Sequence, residues 1–299
     1  MLFRAVLNRH GGTLRTMDLE AFAAQAKTIF AQAGHVLDCH IVDGSEVAAE
    51  LNRAADDPGV DVIVAGGGDG TISSAAAVAF KSGKPIGVLP AGTMNLFARA
   101  IGMPLDLTGA LRAIAEGEVR HIDIATANGQ PFVHQFGVGI HARLVRIRDG
   151  MMYRSRIGKM MASLRAIGAA VINPPRFEVE LDGPIGHIKQ TASGVIVSNN
   201  PLNNAPLPVA ATLNSGLLGV YVAQSVTTNE LLNLVLDVVT GRWRGNAQVS
   251  EYEVPQLSLR FPKRKRGTHA VVDGELIALE NEVRFELHPG ALPVVSAGR

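Results

Sequence analysis

Several features are scarce in this chain of 299 residues, and each scarcity excludes a class of protein. The single cysteine, Cys39, excludes an internal disulfide framework and is typical of a protein in a reducing cytoplasm. No run of about 18 apolar residues is present, so we expect no membrane-spanning helix. The apolar run within Met1–Gly12 is too short for a signal peptide, so we expect no leader there.

Net charge is also small. The chain has 28 Lys and Arg residues against 27 Asp and Glu residues, a formal charge of +1. That balance neither indicates nor excludes a nucleic-acid or membrane partner, so local clusters of charge must decide. Hydrophobic residues, in contrast, make up 47% of the chain and can bury a sizeable core. The length suits one large domain or two ordinary ones.

One glycine-rich stretch organises the first half of the chain. Val60–Ala65 is an apolar, β-branched run that predicts a buried strand, and the Ala-rich Ile72–Phe80 predicts a helix. Between them lie Gly66, Gly67, Gly68, Asp69, Gly70 and Thr71. A strand, a glycine loop and a helix present backbone N–H groups to phosphate. The alternative interpretation is a tight turn, but four glycines around one acid are more than a turn requires. An acidic residue beside bound phosphates also implies a metal ion between them.

Strand and helix patterns alternate through about residue 120, which predicts a doubly wound, Rossmann-like parallel sheet. One of its helices is expected to end near Ala55 with Ser45 as its N-cap. A ligand of such a sheet lies at the carboxyl ends of the strands. Asn8, Asp69 and Thr93 all fall at those ends.

The second half of the chain has a different pattern. Residues 177–182 alternate between apolar and acidic side chains, as in a half-buried antiparallel strand. Further strand-like runs cover 187–197, 217–223, 256–261, 269–273 and 282–287, and helical segments lie near 142–172 and 228–240. We therefore predict an α/β fold with a C-terminal, mostly antiparallel β-sandwich. The expected domains are 1–125, which binds nucleotide, and 126–289, which is rich in β-strands and binds the substrate.

Three motifs occur in the same order as in a known family. Gly67–Thr71 matches the G-G-D-G-T signature of the diacylglycerol kinase catalytic domain, which sphingosine kinases and NAD kinases share. Pro90–Arg99 resembles the P-x-G-T-x-N-D-F-A-R segment of the lipid kinases, and Val272–Glu275 resembles their D-G-E. The chain thus resembles the bacterial soluble lipid kinases of the diacylglycerol kinase type.

This resemblance implies transfer of phosphate from ATP to a lipid alcohol such as diacylglycerol, with Mg²⁺ as the second cofactor. It implies a cytoplasmic protein with peripheral contact to the inner face of the membrane and no nucleic-acid partner. In the resembled family the extreme C-terminus returns to the first domain, which residues 290–299 are expected to do. The oligomeric state is left open.

The resemblance also assigns roles to residues. Glu275 becomes the general base, Asp273 orients it or joins the metal network, and Asp69 and Asp123 are acids of that network. The expected nucleotide contacts are Asn8, Gly66, Gly67, Gly68, Gly70, Thr71, Gly92, Thr93 and Asn95. Two simpler interpretations stay open: Asp-Gly between apolar runs is a common hairpin turn, and Asp69 is a suitable helix N-cap.

The chain departs from the family pattern at several acids. Leu96 stands where the family has Asp after G-T-x-N, and Arg9 replaces the proline of its N-P-x-x-G loop. Where the bacterial lipid kinases hold a structural magnesium, three carboxylates have become Asn214, Ser215 and Gly219. We expect that ion to be absent, because magnesium sites rest on carboxylate oxygens. The alternative functions are those of an NAD kinase or of a lapsed kinase, which would bind lipid or nucleotide without turnover.

Two basic segments suggest how such a protein reaches a lipid. Arg143–Arg165 is basic and rich in methionine, and Lys263–Arg266 carries four adjacent cations. We expect both to lie on an anionic membrane, although solvated faces are the simpler interpretation of each alone. The histidines, His134 among them, lack metal-ligand spacing and are interpreted as ordinary surface or core residues.

Overall fold

The structure is a computed structural model that describes residues 1–149, 174–206, 208–224 and 227–296. It confirms the predicted fold class: an N-terminal α/β part with a parallel sheet is followed by an antiparallel β-sandwich region. None of the described helices is long and apolar enough to cross a membrane.

The N-terminal part alternates strands and helices. Its elements are β1 (Leu2–Asn8), a 3₁₀ helix (Gly12–Thr16), α1 (Leu19–Gln32), β2 (Val36–Val42), α2 (Val47–Asp56), β3 (Val62–Gly67), α3 (Asp69–Ser82), β4 (Ile86–Pro90), α4 (Leu96–Ala100) and α5 (Leu107–Ala115). β2, β1, β3 and β4 pair in parallel, in that spatial order. Leu7 pairs with Gly66 and Gly67 with Pro90, so the loops that follow β1, β3 and β4 leave the sheet side by side.

The C-terminal part is dominated by strands. Its elements are β5 (Glu118–Ala127), β6 (Gln130–Phe132), β7 (Gln135–Gly139), α6 (Ile140–Asp149), β8 (Phe177–Gly183), β9 (Gly186–Ser198), β10 (Leu218–Gln224), α7 (Thr228–Thr240), β11 (Val249–Val254), β12 (Gln256–Arg260), β13 (His269–Val272), β14 (Glu275–Ala278) and β15 (Glu282–Ser296). β9 is long enough to pair with β8 along its first half and with β7 along its second. β10 runs along its other edge.

The last described strand joins the two parts. β15 pairs antiparallel with β5, with an irregularity between His288 and Leu292, and Val294 then pairs in parallel with Ile86 of β4. Leu292 and Val294 are buried in the hydrophobic core of the parallel sheet, whereas Phe285 of the same strand is buried in the core of the sandwich. One strand therefore contributes to both cores.

Local predictions had mixed outcomes. The helix predicted over 228–240 is α7, fixed by a capping box between Thr227 and Glu230. The predicted cap Ser45 is wrong: α2 begins one residue later than a Ser45 cap would require, with Glu46 at the N-cap and no side-chain cap. The Glu46 carboxylate instead accepts from the backbone N–H of Asp43 in the preceding turn, at 3.3 Å. The helix predicted near 142–172 matches α6 as far as residue 149, and residues 150–173 lie outside the described residues.

Candidate active site

The loop between β3 and α3 is built from glycines because other loops approach it closely. A Cβ added to Gly67 would stand 2.5 Å from the Thr71 hydroxyl oxygen. A Cβ on Gly92, in the loop after β4, would stand 2.8 Å from the Cα of Gly68. No side chain fits in either space, so the two loops pack backbone against backbone. Their N–H groups are left close to any anion that binds there.

Asn8, at the end of β1, braces the start of α3. Its side-chain amide donates to the Thr71 hydroxyl at 3.1 Å, and its amide oxygen accepts from the backbone N–H of His10 at 3.0 Å. Thr71 is buried beneath the loop. The structure thus brings these two predicted nucleotide-binding residues together, with their side chains hydrogen-bonded to each other.

Asp69 connects the glycine loop to the loop after β4. Its carboxylate accepts from the backbone N–H groups of Asn95 at 3.1 Å and Leu96 at 2.7 Å. Asp69 is the first residue of α3, whose N-cap is Gly68, so the interpretation of Asp69 as the cap of its own helix is wrong. It caps α4 instead, and its negative charge stands beside the glycine loop.

Asn95 maintains the turn before α4. It adopts a left-handed backbone conformation with φ of 51°, and its side chain makes hydrogen bonds to both the N–H and the carbonyl of Gly92, at 2.8 and 3.0 Å. Its amide oxygen is therefore used within the loop. Thr93, two residues before it, is exposed in the same loop.

Glu275 reaches the glycine loop from a distant part of the chain. Its carboxylate oxygen Oε1 lies 3.2 Å from the position of a Cβ built on Gly70. The D-G-E segment is also a hairpin, with φ of 48° at Asp273 and 91° at Gly274 between β13 and β14. The two interpretations of this motif are compatible, because the hairpin is what carries the exposed Glu275 to the start of α3.

The buried carboxylate of Asp273 accepts four hydrogen bonds. The donors are the Ser73 hydroxyl at 2.7 Å and the backbone N–H groups of Val133 at 2.9 Å, His134 at 2.9 Å and Gln135 at 3.1 Å. Ser73 lies on α3, so Asp273 ties the D-G-E hairpin to the helix that carries Asp69. These contacts suit a positioning residue, since the carboxylate oxygens are already satisfied.

His134 was not predicted as part of this site. Burial lowers the pKa of His134 below its ordinary value, whereas the nearby carboxylates of Asp273 and Asp69 act to raise it. The His134 ring therefore lies near both acids, in a buried environment that favours its uncharged form. No pattern in the sequence distinguished it from the other histidines, because its two neighbours lie far from it along the chain.

Asp123 is placed apart from these groups. It is 1% exposed, and its two carboxylate oxygens accept from the backbone N–H groups of Gly216 at 2.9 Å and Gly290 at 3.0 Å. Among the described residues, no three His, Cys, Asp or Glu side chains converge to hold a metal ion. At the loop, the glycine N–H groups fit phosphate oxygens, and the Asp69 carboxylate fits a cation that arrives bound to those phosphates.

Comparisons with known proteins identify the family of this chain. The family model described as the diacylglycerol kinase catalytic domain matches residues 3–127, and that of the YegS C-terminal NAD kinase beta sandwich-like domain matches residues 135–296. A diacylglycerol kinase of Bacillus subtilis is 28% identical over 73% of this chain and 73% of its own. A crystal structure of a diacylglycerol kinase from Bacillus anthracis superposes with a TM-score of 0.73 at 18% identity, covering 99% of this chain and 96% of that one.

A longer relative is matched in part. An uncharacterized protein of Synechocystis is 29% identical over 76% of this chain. The match covers 53% of that protein, so the chain spans about half the length of this relative.

Proposed function

The chain belongs to the family in which a diacylglycerol kinase catalytic domain precedes a YegS C-terminal NAD kinase beta sandwich-like domain, and on that basis we propose that it is an ATP-dependent lipid kinase. It transfers the γ-phosphate to a hydroxyl of a lipid alcohol such as diacylglycerol. The observation that carries the proposal is the contact of Glu275 with Gly70. It sets an exposed carboxylate directly against the glycine loop.

The glycine loop holds the phosphates of ATP in this proposal. The backbone N–H groups around Gly68 and Gly70 and the positive end of α3 attract the anion. Mg²⁺ bound with ATP neutralises phosphate charge, and Asp69 stands where it can hold that ion. The hydrogen bond between Asn8 and Thr71 joins the loops after β1 and β3, and the Asn95 side chain fixes the loop after β4.

Glu275 is the general base of the proposed reaction. It takes the proton of the lipid hydroxyl as the hydroxyl oxygen forms its bond to the γ-phosphorus. The bond from the γ-phosphorus to the bridging oxygen breaks, and ADP leaves with that electron pair. Asp273 contributes by fixing the hairpin, because its four hydrogen bonds leave its carboxylate engaged with the protein.

Within this proposal, residues 1–125 bind nucleotide and residues 126–289 bind the lipid. The predicted return of 290–299 to the first domain is seen for residues 292–295, and residues 297–299 lie outside the described residues. The enzyme works in the cytoplasm, at the inner face of the membrane, where ATP and the lipid hydroxyl meet. The test is transfer of labelled phosphate from ATP to a panel of lipid alcohols, with NAD included. Product on NAD alone would indicate an NAD kinase, and no product on any acceptor would indicate a lapsed kinase.

Peripheral membrane contact belongs to the same proposal. Arg146 on α6 donates to the carbonyl of Gly267 at 3.4 Å and contacts His269, so part of the first basic segment reaches the residues that directly follow the second. Residues 150–165 of the first segment lie outside the described residues. In the described part of the chain, Arg146 brings the start of the first segment close to the strand that leads into the hairpin carrying Glu275.

The cations of the second segment are not equivalent. Lys263 pairs with Glu178 at 2.7 Å, and Arg264 donates to the Asn281 amide oxygen at 2.8 Å. Lys265 and Arg266 are exposed at the tip of the turn. A membrane surface is therefore expected to meet Lys265 and Arg266 first.

We expect a Lys265→Ser, Arg266→Ser double variant to bind anionic vesicles about 30-fold more weakly, since each cation adds about 1 kcal/mol near such a surface. Sedimentation with vesicles measures this, and binding should fall as salt rises. The matched control is Lys263→Ser, Arg264→Ser, whose side chains are held by the protein and whose loss should matter less. Equal binding to neutral and anionic vesicles would contradict the prediction.

A further inference from the structure

The turn at residues 213–219 is closed by the protein's own hydrogen bonds. The Ser215 hydroxyl donates to the amide oxygen of Asn200 at 2.6 Å, and the Ser215 backbone N–H donates to the same oxygen at 2.9 Å. The hydroxyl oxygen accepts from the backbone N–H of Leu217 at 3.1 Å. The Ser215 side chain therefore joins the middle of the turn to Asn200, two residues beyond the end of β9.

Asn200 and Asp123 accept the hydrogen bonds that the turn donates. Asn200 is fully buried and has a left-handed backbone with φ of 67°, which points its amide at the turn. Asp123 donates its backbone N–H to the Leu213 carbonyl at 2.8 Å, while its carboxylate accepts from Gly216 at 2.9 Å. A buried carboxylate with two backbone donors is stable without a cation, because N–H groups satisfy its charge.

A magnesium ion, which the family resemblance implies here, does not fit this set of donors. The three positions that would supply carboxylates are Asn214, Ser215 and Gly219. The Asn200 amide oxygen accepts two hydrogen bonds from Ser215, and the Asp123 oxygens accept one each, from Gly216 and Gly290. Magnesium demands oxygen ligands in near-octahedral array, and among the described residues Asp123 is the only carboxylate that bonds to this turn.

The same hydrogen bonds continue toward Asp273. The side chain of Asn199 donates to the carbonyls of Asp123 at 3.1 Å and Val133 at 3.3 Å, and its backbone N–H donates to the carbonyl of His134 at 2.9 Å. Val133 and His134 in turn donate their N–H groups to the Asp273 carboxylate. The short segment Val133–His134 thus links the two: its carbonyls accept from Asn199, on the side of the turn, and its N–H groups donate to Asp273 of the D-G-E hairpin.

We propose that Ser215, Asn200 and Asp123 form a latch that takes the place of a structural divalent cation and positions the D-G-E hairpin. Ser215 and Asn200 are positioning residues in this proposal, because they act through Asp123, Asn199 and the 133–134 segment. The effect on catalysis rests on the proposed kinase function, whereas the closing of the turn without a metal does not.

The first experiment follows thermal unfolding without nucleotide, in Mg²⁺ and in EDTA. The midpoint of the natural chain should be the same in both, and gel-filtered protein should retain no stoichiometric divalent metal by elemental analysis. A midpoint that falls in EDTA, or about one metal ion per chain, would overturn the proposal.

The second experiment compares substitutions at Ser215. Ser215→Ala should lower the midpoint by about 2 °C or more, the shift expected from one lost interaction in a chain of this size. Ser215→Thr keeps the hydroxyl and should restore it. Ser215→Asp removes the donor to Asn200 and adds a carboxylate, so its midpoint should rise with Mg²⁺. An Ala or Asp variant as stable as the natural chain in EDTA would overturn the latch.

The positioning role is tested with the same variants in the kinase assay. Ser215→Ala should lower kcat while the KM for ATP stays unchanged, and Ser215→Thr should restore kcat. A lowered midpoint with unchanged kcat would overturn the positioning role. If no variant and no natural chain transfers phosphate, the proposed function fails, and the unfolding midpoints still decide whether the latch exists.

Discussion

The Glu275→Gln variant is expected to lose about 10²- to 10⁴-fold in kcat, the usual contribution of a positioned general base. Glutamine has nearly the same shape, so the hairpin and its contact with Gly70 should persist. Because the base acts on the acceptor hydroxyl in the transition state, ATP affinity should stay close to normal. Steady-state kinetics with a lipid acceptor and calorimetric titration of ATP measure the two quantities separately.

The matched control is Glu280→Gln, which changes an exposed glutamate just beyond β14 in the same region. It should leave both kcat and ATP affinity unchanged. If Glu275→Gln retained near-natural turnover, another group would be the base. If it lost ATP binding as well, the carboxylate would belong to the nucleotide site instead.

The local parts of the fold and of the candidate site could be predicted from the sequence. The alternation of strand and helix patterns placed Asn8, Asp69 and Thr93 at the carboxyl ends of parallel strands, and the structure has those loops side by side. Helix α7 was predicted near 228–240 from its local sequence pattern, and the capping box that fixes its start spans only Thr227 to Glu230. Such signals are local, and they are readable because their partners are a few residues apart.

The parts that were missed depend on contacts between distant residues. β5 pairs with β15 more than 150 positions away along the chain, and no periodicity reports that pairing. Asp69 looked like the cap of its own helix, yet it caps α4 because the two loops meet in space. His134 was unremarked for the same reason, since Asp69 and Asp273 become its neighbours only on folding.

The Asp69→Asn variant tests the second large effect expected at this site, because the carboxylate has two proposed tasks. It caps α4 through Asn95 and Leu96, and it holds the ion that arrives with ATP. Substitution by asparagine removes the charge but keeps one acceptor oxygen for the cap. We expect kcat to fall about 100-fold or more, since charge stabilisation by a bound ion is worth several kcal/mol and about 1.4 kcal/mol gives a factor of 10.

The dependence of rate on Mg²⁺ concentration separates the two tasks. Asp69→Asn should raise the Mg²⁺ concentration needed for half-maximal rate at fixed ATP. Asn95→Ala is the matched control, because it removes the side chain that bonds to Gly92 and loosens the same turn without removing charge. It should lower the unfolding midpoint while leaving the Mg²⁺ dependence unchanged. If both variants lost stability and neither changed the Mg²⁺ dependence, Asp69 would be a cap of α4 alone, and the metal role would pass to another group.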